Sequence, residues 1–174
     1  MLTQELVREL FDYVPETGEL IRKVSTAPNA QKGDIVGCLN GNGYLITTIR
    51  KRRIFNHQLV FIGHYGHLPK FIDHIDQNPL NNRIENLREA TNIENSRNKT
   101  KYKSNTSGYK GVSWSKNRER WCSQIKINTT AINLGRYTDP IEAAQAYNLA
   151  AEQYFGEFAY FNGLPDELAW GVFE

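Results

Sequence analysis

An α+β chain of two small mixed modules in tandem is predicted, on three observations. Strand-length apolar runs alternate with helix-spaced segments in the first half, whereas three strand-like runs followed by one helix fill the second. The hairpin signal Asn40-Gly41-Asn42-Gly43 joins two of the early runs. A polar, basic stretch with few apolar anchors separates the halves over residues 99–107, as a linker does. A length of 174 residues, 40% of them apolar, suits one ordinary domain or two small ones.

In chain order, residues 3–11 place Leu6, Val7, Leu10 and Phe11 at helical spacing behind a Thr that can cap. Asp12 to Gly18 reads as a turn leading into a strand over 19–24, and residues 25–34 read as loop. Strands follow at Ile35–Leu39 and Tyr44–Arg50. The basic cluster Lys51-Arg52-Arg53 extends the second strand or its turn; a solvated edge and a phosphate contact are equally open readings for it. His57 to Tyr65 is expected to be a helix burying Leu59, Val60 and Ile62. His64 and His67 lie beyond or at its end and are not expected to bind metal, while His57 is left between packing and phosphate contact.

The stretch from Asp73 to Asn95 carries the chemistry. Residues 70–75 form a short apolar run fit for a strand, and residues 87–91 can partner it. Thr91 followed by Glu94 is a capping box, which starts a helix with Asn95 in its first turns. Neighbouring strand residues point to opposite faces, so Asp73 and His74 can share a site only at a strand end or bulge. Asn-rich text is ordinarily turn chemistry and a lone Asp-His pair says nothing. Acid, imidazole and amide together are the groups that hold one hard divalent cation and deprotonate a water beside it.

At Asn56-His57-Gln58-Leu59-Val60, Asp73-His74-Ile75-Asp76, Asn81 to Thr91 and Glu94-Asn95 the chain resembles the HNH nucleases, in their phage and homing-endonuclease branch. The lead Tyr13 to Leu20 is similar to the N-terminal lead of phage members. The resemblance implies a ββα-metal fold, with His74 as general base and Asp73 and Asn95 as ligands of one Mg²⁺ or Mn²⁺. Asn86 would brace the loop that carries His74. Gln77 stands where a Gly is usual, and Gln58 where the family usually has Arg.

Beyond Gly108, strand-like runs at Tyr109–Ser115, Arg120–Asn128 and Ala131–Tyr137 precede a helix begun by Asp139-Pro140-Ile141-Glu142. Ala143, Ala144, Tyr147, Ala150, Ala151 and Tyr154 give it a small-and-aromatic face for packing on the sheet. The text Gly108 to Val112, Arg120-Trp121, Gln124-Ile125-Lys126, Leu134 to Tyr137, Glu142 to Asn148 and Asn162 resembles the APETALA/ethylene-response-factor type of DNA-binding domain. That likeness implies a sheet face laid in the major groove. Lys110, Ser113, Ser115, Gln124 and Lys126 match positions that touch DNA in that family. Ser113, Ser115 and Ala131 stand where the plant proteins carry Arg, and Asn133 where they carry Trp, so the plant target does not transfer. Trp121 is expected in the core. Lys99, Lys101 and Lys103 of the linker, Lys116 and Arg118 of a turn, and Arg120 and Arg136 complete the expected DNA-binding set.

The net charge of +2 conceals an uneven layout. Residues 1–94 are neutral, residues 95–136 carry ten basic side chains against Glu119 alone, and residues 137–174 carry seven acids and no Lys or Arg. A basic middle reads as a polyanion-binding stretch. Cys38 and Cys122 form no C-x-x-C pair, so neither a structural zinc site nor a disulfide framework is expected. No apolar run approaches a membrane span, and the acidic helical start lacks a signal peptide's features. A soluble cytoplasmic protein is therefore expected.

The expected domains are an HNH nuclease domain over 1–98 (metal core about 55–98), a linker over 99–107, the DNA-binding domain over 108–163 and a tail over 164–174. The expected function is a strand-nicking, metal-dependent DNA endonuclease acting on duplex DNA. It would need no small-molecule cofactor and would act as a monomer, with a dimer left open. The alternatives are a non-cleaving DNA-binding regulator and, behind it, an RNA nuclease or RNA-binding protein.

Overall fold

Thr3 opens the first helix, α1 (Gln4–Leu10), by accepting the Leu6 amide hydrogen on its hydroxyl at 3.3 Å. This computed structural model describes residues 2–101 and 104–165, and it divides the chain into one unit ending at Asn92 and another starting at Ile93. In the first unit, the Gln4 and Arg8 side chains donate to the Gly63 carbonyl, fastening α1 to α2 (Asn56–Tyr65). Val7, Phe11, Leu20, Leu59, Phe61 and Leu87 belong to the core beneath.

The predicted turn from Asp12 is longer in strand than expected. Phe11–Val14 is β1, paired antiparallel with β2 (Glu19–Arg22), because Phe11 and Leu20 both reach the core and Gly18 closes the turn at φ +76°. A second sheet has the order β3 (Cys38–Leu39), β4 (Leu45–Ile49), β5 (Arg52–Phe55). Arg50 and Lys51 turn between β4 and β5 with φ of 47° and 68°, as a two-residue primed hairpin demands. The basic cluster thus splits between a hairpin tip and an edge strand.

The start of α2 is fixed twice. The buried Asn56 amide accepts from the Thr47 hydroxyl and donates to the Val36 carbonyl, both at 2.7 Å. Gln58 accepts from the Phe55 amide at 3.3 Å, so the residue that replaces the family's Arg serves as a helix cap. Gly66, left-handed at φ 81°, ends the helix. Then β6 (Phe71–His74) pairs antiparallel with β7 (Leu87–Ala90), the register matching Asp73 to Arg88 and His74 to Leu87. Helix α3 (Asn92–Asn98) starts immediately after Thr91.

The second unit holds the sheet β8 (Val112–Ser115), β9 (Arg120–Ile127), β10 (Thr130–Tyr137) and helix α4 (Pro140–Phe155), capped by Asp139. The α+β class is therefore correct for both halves. Ala143, Ala144, Ala151 and Tyr147 are buried against the sheet. The expected strand from Tyr109 starts only at Val112, since Gly111 is left-handed at φ 78° and sits where a Cβ would strike the Tyr147 ring. Trp121 packs in this core, beside Trp114 at 5.1 Å between rings. Residues 93–98 of α3 fall in this unit, earlier than the expected boundary after residue 98. Arg97 lies over the Phe155 ring, and the end of the helix is bound by Lys110. Lys103 and most of the expected tail (164–174) lie outside the described residues. Among the described residues no helix is long and apolar enough to cross a membrane.

Candidate active site

Asp73 and His74 are the last two residues of β6, and both are buried, 4% and 7% exposed. The strand end is the place where two neighbours can serve one site. Asp73 meets its cross-strand partner: Arg88 donates from Nε and Nη2 to Oδ2 at 3.0 and 2.8 Å. His74 turns to the returning loop, where Nε2–H donates to Oδ1 of Asn82 at 3.1 Å. With the proton on Nε2, the ring's lone pair is on Nδ1.

The loop between His74 and Asn86 is bound to itself by amides. Gln77 takes the left-handed conformation at φ 62°, and its amide donates to the His74 carbonyl at 2.9 Å, so the turn closes without the usual Gly. Asn86 donates to Asp76 Oδ1 and to the Asn81 carbonyl, both at 2.8 Å, and accepts from the Asp76 amide at 3.0 Å. Burial resists ionisation of Asp76, yet the bonds from Asn81, the Asn78 amide and Asn86 outweigh it and hold its carboxyl below the usual range.

The β1–β2 hairpin clamps this loop from outside. The Tyr13 hydroxyl accepts from the Ile84 amide at 2.8 Å, and Arg83 Nε donates to the Glu16 carbonyl. At Gly18 the approach is closest, because a Cβ there would lie 2.5 Å from the Arg83 nitrogen.

His57, in the first turn of α2, stacks on Phe55 and stands edge-on to His74, with ring centroids 5.2 and 5.1 Å away. Tyr44 borders both imidazoles. Burial, then the neighbouring His74, pushes His57 from its ordinary 6.5 down to about 4. Burial also lowers His74, against the raising influence of the Asn82 bond and of the Asp76 and Asp73 charges. In both rings burial favours the neutral imidazole, the state a proton acceptor needs. His64 faces Tyr65, and His67 lies 3.5 Å from Glu89 at the surface.

Hard oxygen donors suit Mg²⁺ or Mn²⁺, and the buried Asp73 carboxylate, oriented by Arg88, is a donor of that kind. Among the described residues no group of three or more His, Cys, Asp or Glu could hold a metal; one carboxylate plus one amide is a set of another kind. Asn95 lies on α3, within the second unit.

In the second unit the register lines up one open face of the sheet. Ser113 pairs with Cys122 and Cys122 with Arg136; Ser115 pairs with Arg120, Gln124 with Asn133 and Lys126 with Ala131. Arg120, Gln124, Lys126, Asn133 and Arg136 are exposed, whereas Ser123 and Ile125 between them are buried. Lys116 and Arg118 lie exposed in the β8–β9 turn, and Lys99 is exposed after α3. Lys101 donates to the Gly108 carbonyl at 2.6 Å. Lys110 is half-buried, its ammonium on backbone carbonyls rather than on the open face.

Asn82, Arg88, Tyr13 and Gly18 were not marked by sequence as site residues. Asn82 read as turn chemistry, and the other three act through contacts made only after folding.

Residues 55–97 match the sequence profile of the HNH endonucleases. Protein 3.8 of Escherichia phage T7 is 44% identical over 98 residues, 55% of this chain and 80% of that protein. An uncharacterised HNH endonuclease of Acanthamoeba polyphaga mimivirus is 42% identical over 96 residues, 54% of this chain and 49% of its own length.

Proposed function

This chain belongs to the HNH endonuclease family, and we propose that it is a strand-nicking, metal-dependent DNA endonuclease of the phage or homing type. The observation that carries this reading is the buried His74, held by Asn82 at the end of β6 beside the buried carboxylate of Asp73.

In this reaction Nδ1 of His74 takes a proton from water as the water oxygen attacks a backbone phosphorus. The P–O3′ bond breaks, the 3′ oxygen leaves and is protonated by solvent, and the products are a 5′-phosphate and a 3′-hydroxyl. Asp73 and Asn95 are the proposed ligands of one Mg²⁺ or Mn²⁺, Asn95 on the strength of the resemblance. When bound, the cation neutralises charge on the phosphate and the leaving oxygen. Arg88 keeps Asp73 oriented, and Asn86 keeps the loop after His74 closed. One such site per chain cuts one strand.

The C-terminal module is proposed to target the duplex, as an APETALA/ethylene-response-factor-like domain. Its support is a three-stranded sheet on one helix whose open face carries Ser113, Ser115, Arg120, Gln124, Lys126 and Arg136. Lys99, Lys101, Lys116 and Arg118 add phosphate contacts, and the tether raises the local concentration of DNA at the nuclease site.

The test is conversion of supercoiled plasmid to nicked circles with Mg²⁺ or Mn²⁺, with and without chelator, for the parent chain and His74→Ala. Nicking that needs metal and His74 supports the reading. Metal-independent DNA binding with no nicking on any substrate, phage genomic DNA included, gives the regulator instead.

A further inference from the structure

We propose that the C-terminal sheet module is the seat of helix α3, with Lys110 positioning that helix rather than touching DNA. Where Asn95 is a metal ligand, as proposed above, the module is then part of the catalytic apparatus as well as a DNA anchor.

A seven-residue helix is too short to persist alone in water, so its place is set by what it packs on. Its C-terminal end is bound to the module. Lys110 Nζ donates to the Arg97 and Lys99 carbonyls, both at 2.6 Å, where the last turn presents carbonyls and the negative end of the helix dipole. The same ammonium lies 5.1 Å from the centre of the Tyr160 ring. The Arg97 guanidinium sits 4.8 Å from the centre of the Phe155 ring, at the end of α4, and Asn98 is buried.

Lys110 is itself tied down through its backbone. Its amide donates to Asn162 Oδ1 at 2.6 Å and its carbonyl accepts from Asn162 Nδ2 at 3.1 Å. Asn162 in turn exchanges two bonds with Asn148 of α4. The chain from α3 through Lys110 and Asn162 to α4 is therefore made of short polar bonds. Burial lowers the ammonium to about 8, as expected of a group withdrawn from water rather than held out to phosphates.

Two experiments on the full chain test this. In native-state hydrogen exchange under rising denaturant, the α3 amides are expected to lose protection together with those of α4. Loss in step with β6–β7 overturns the proposal, and this readout requires neither metal nor cleavage. For Lys110→Met, the Mg²⁺ concentration for half-maximal nicking is expected to rise about tenfold, as for other residues behind a metal ligand. Its affinity for duplex DNA in EDTA stays within about twofold of the parent, since no phosphate contact is lost. Unchanged Mg²⁺ demand with weakened, less salt-dependent DNA binding identifies a phosphate contact and overturns the assignment. If Lys110→Met does not fold, the parent's exchange pattern decides. A parent that never nicks with any metal removes the nuclease reading and Asn95's role with it, a failure distinct from α3 exchanging with the hairpin.

Discussion

His74 Nε2 and Asn82 Oδ1 stand 3.1 Å apart, both side chains buried. An amide oxygen accepts and cannot donate, so it selects the imidazole tautomer whose lone pair is on Nδ1. Asn82 lies eight residues beyond His74, and the intervening loop is what brings the two together. Asn86 and Asp76 tie that loop, and Tyr13 and Gly18 press on its far end.

Asn82→Ala is expected to lower kcat for nicking by roughly 10- to 100-fold with little change in KM, the usual cost of losing the partner that orients a functional imidazole. Leaving the buried Nε2–H without its acceptor also costs about 1–3 kcal/mol of stability. Single-turnover nicking and urea unfolding measure the two effects separately. Wild-type rates in Asn82→Ala would show that the ring is oriented by something else.

Gly18→Ala is expected to damage the same site from a distance. Its Cβ would lie 2.5 Å from Arg83 N and 2.6 Å from the Asn82 carbonyl carbon, both backbone atoms, at φ +76°. The turn or the loop must shift, at a cost of about 1–3 kcal/mol. Reduced nicking with a lower melting temperature is the expected pair of results. Full activity would mean that the hairpin does not hold the loop.

Much of the fold was legible because its signals are local. Alternation, Asn-Gly turns and capping residues mark β4, β6, β7, α2 and α4 within a few residues of their ends. The strand at Phe11 was missed because Asp12 to Gly18 reads as a single turn, whereas pairing with β2 is decided by burial of Phe11 and Leu20. Asp73 and His74 were visible as a motif. The roles of Asn82, Arg88 and Lys110 were not, since each is fixed by a partner 8 to 15 residues away. Lys110 matched a DNA-contacting position in sequence, yet its ammonium bonds the end of α3.

Stability is expected to fall with acid through two imidazoles, the half-buried His57 and the buried His74. Each has a folded value below the ordinary one of the unfolded chain, so between those values the unfolded chain binds more protons and stability rises with pH. The contribution is complete above the ordinary 6.5 and is lost as pH falls toward about 4 for His57. That group alone should remove about 2 kcal/mol between pH 7 and 5. Urea unfolding at the two pH values checks it, and His57→Phe should shrink the difference. An equal difference in that variant would clear His57 of the effect. The acid limb of nicking is likewise expected below pH 6.5, since burial lowers His74.

The open face of the second sheet makes a prediction that separates anchoring from reading. Lys126 and Arg136 are exposed on β9 and β10, with Gln124 beside Asn133 on the same face. A cation that meets phosphate contributes alike on every sequence, and releases about one counterion when it binds. Lys126→Ala and Arg136→Ala are therefore expected to weaken duplex binding uniformly and to reduce the salt slope by about 0.9 each. Gln124 carries both an amide donor and a carbonyl acceptor, the pattern that pairs with adenine in the major groove. Gln124→Ala should leave the salt slope unchanged and relax preference at one base position by about 1–3 kcal/mol. Anisotropy titrations in EDTA over a salt series, on a panel of duplexes, distinguish the two behaviours. Unaltered slopes and preferences in all three variants would move the DNA contact away from this face, to the exposed cations Lys99, Lys116 and Arg118.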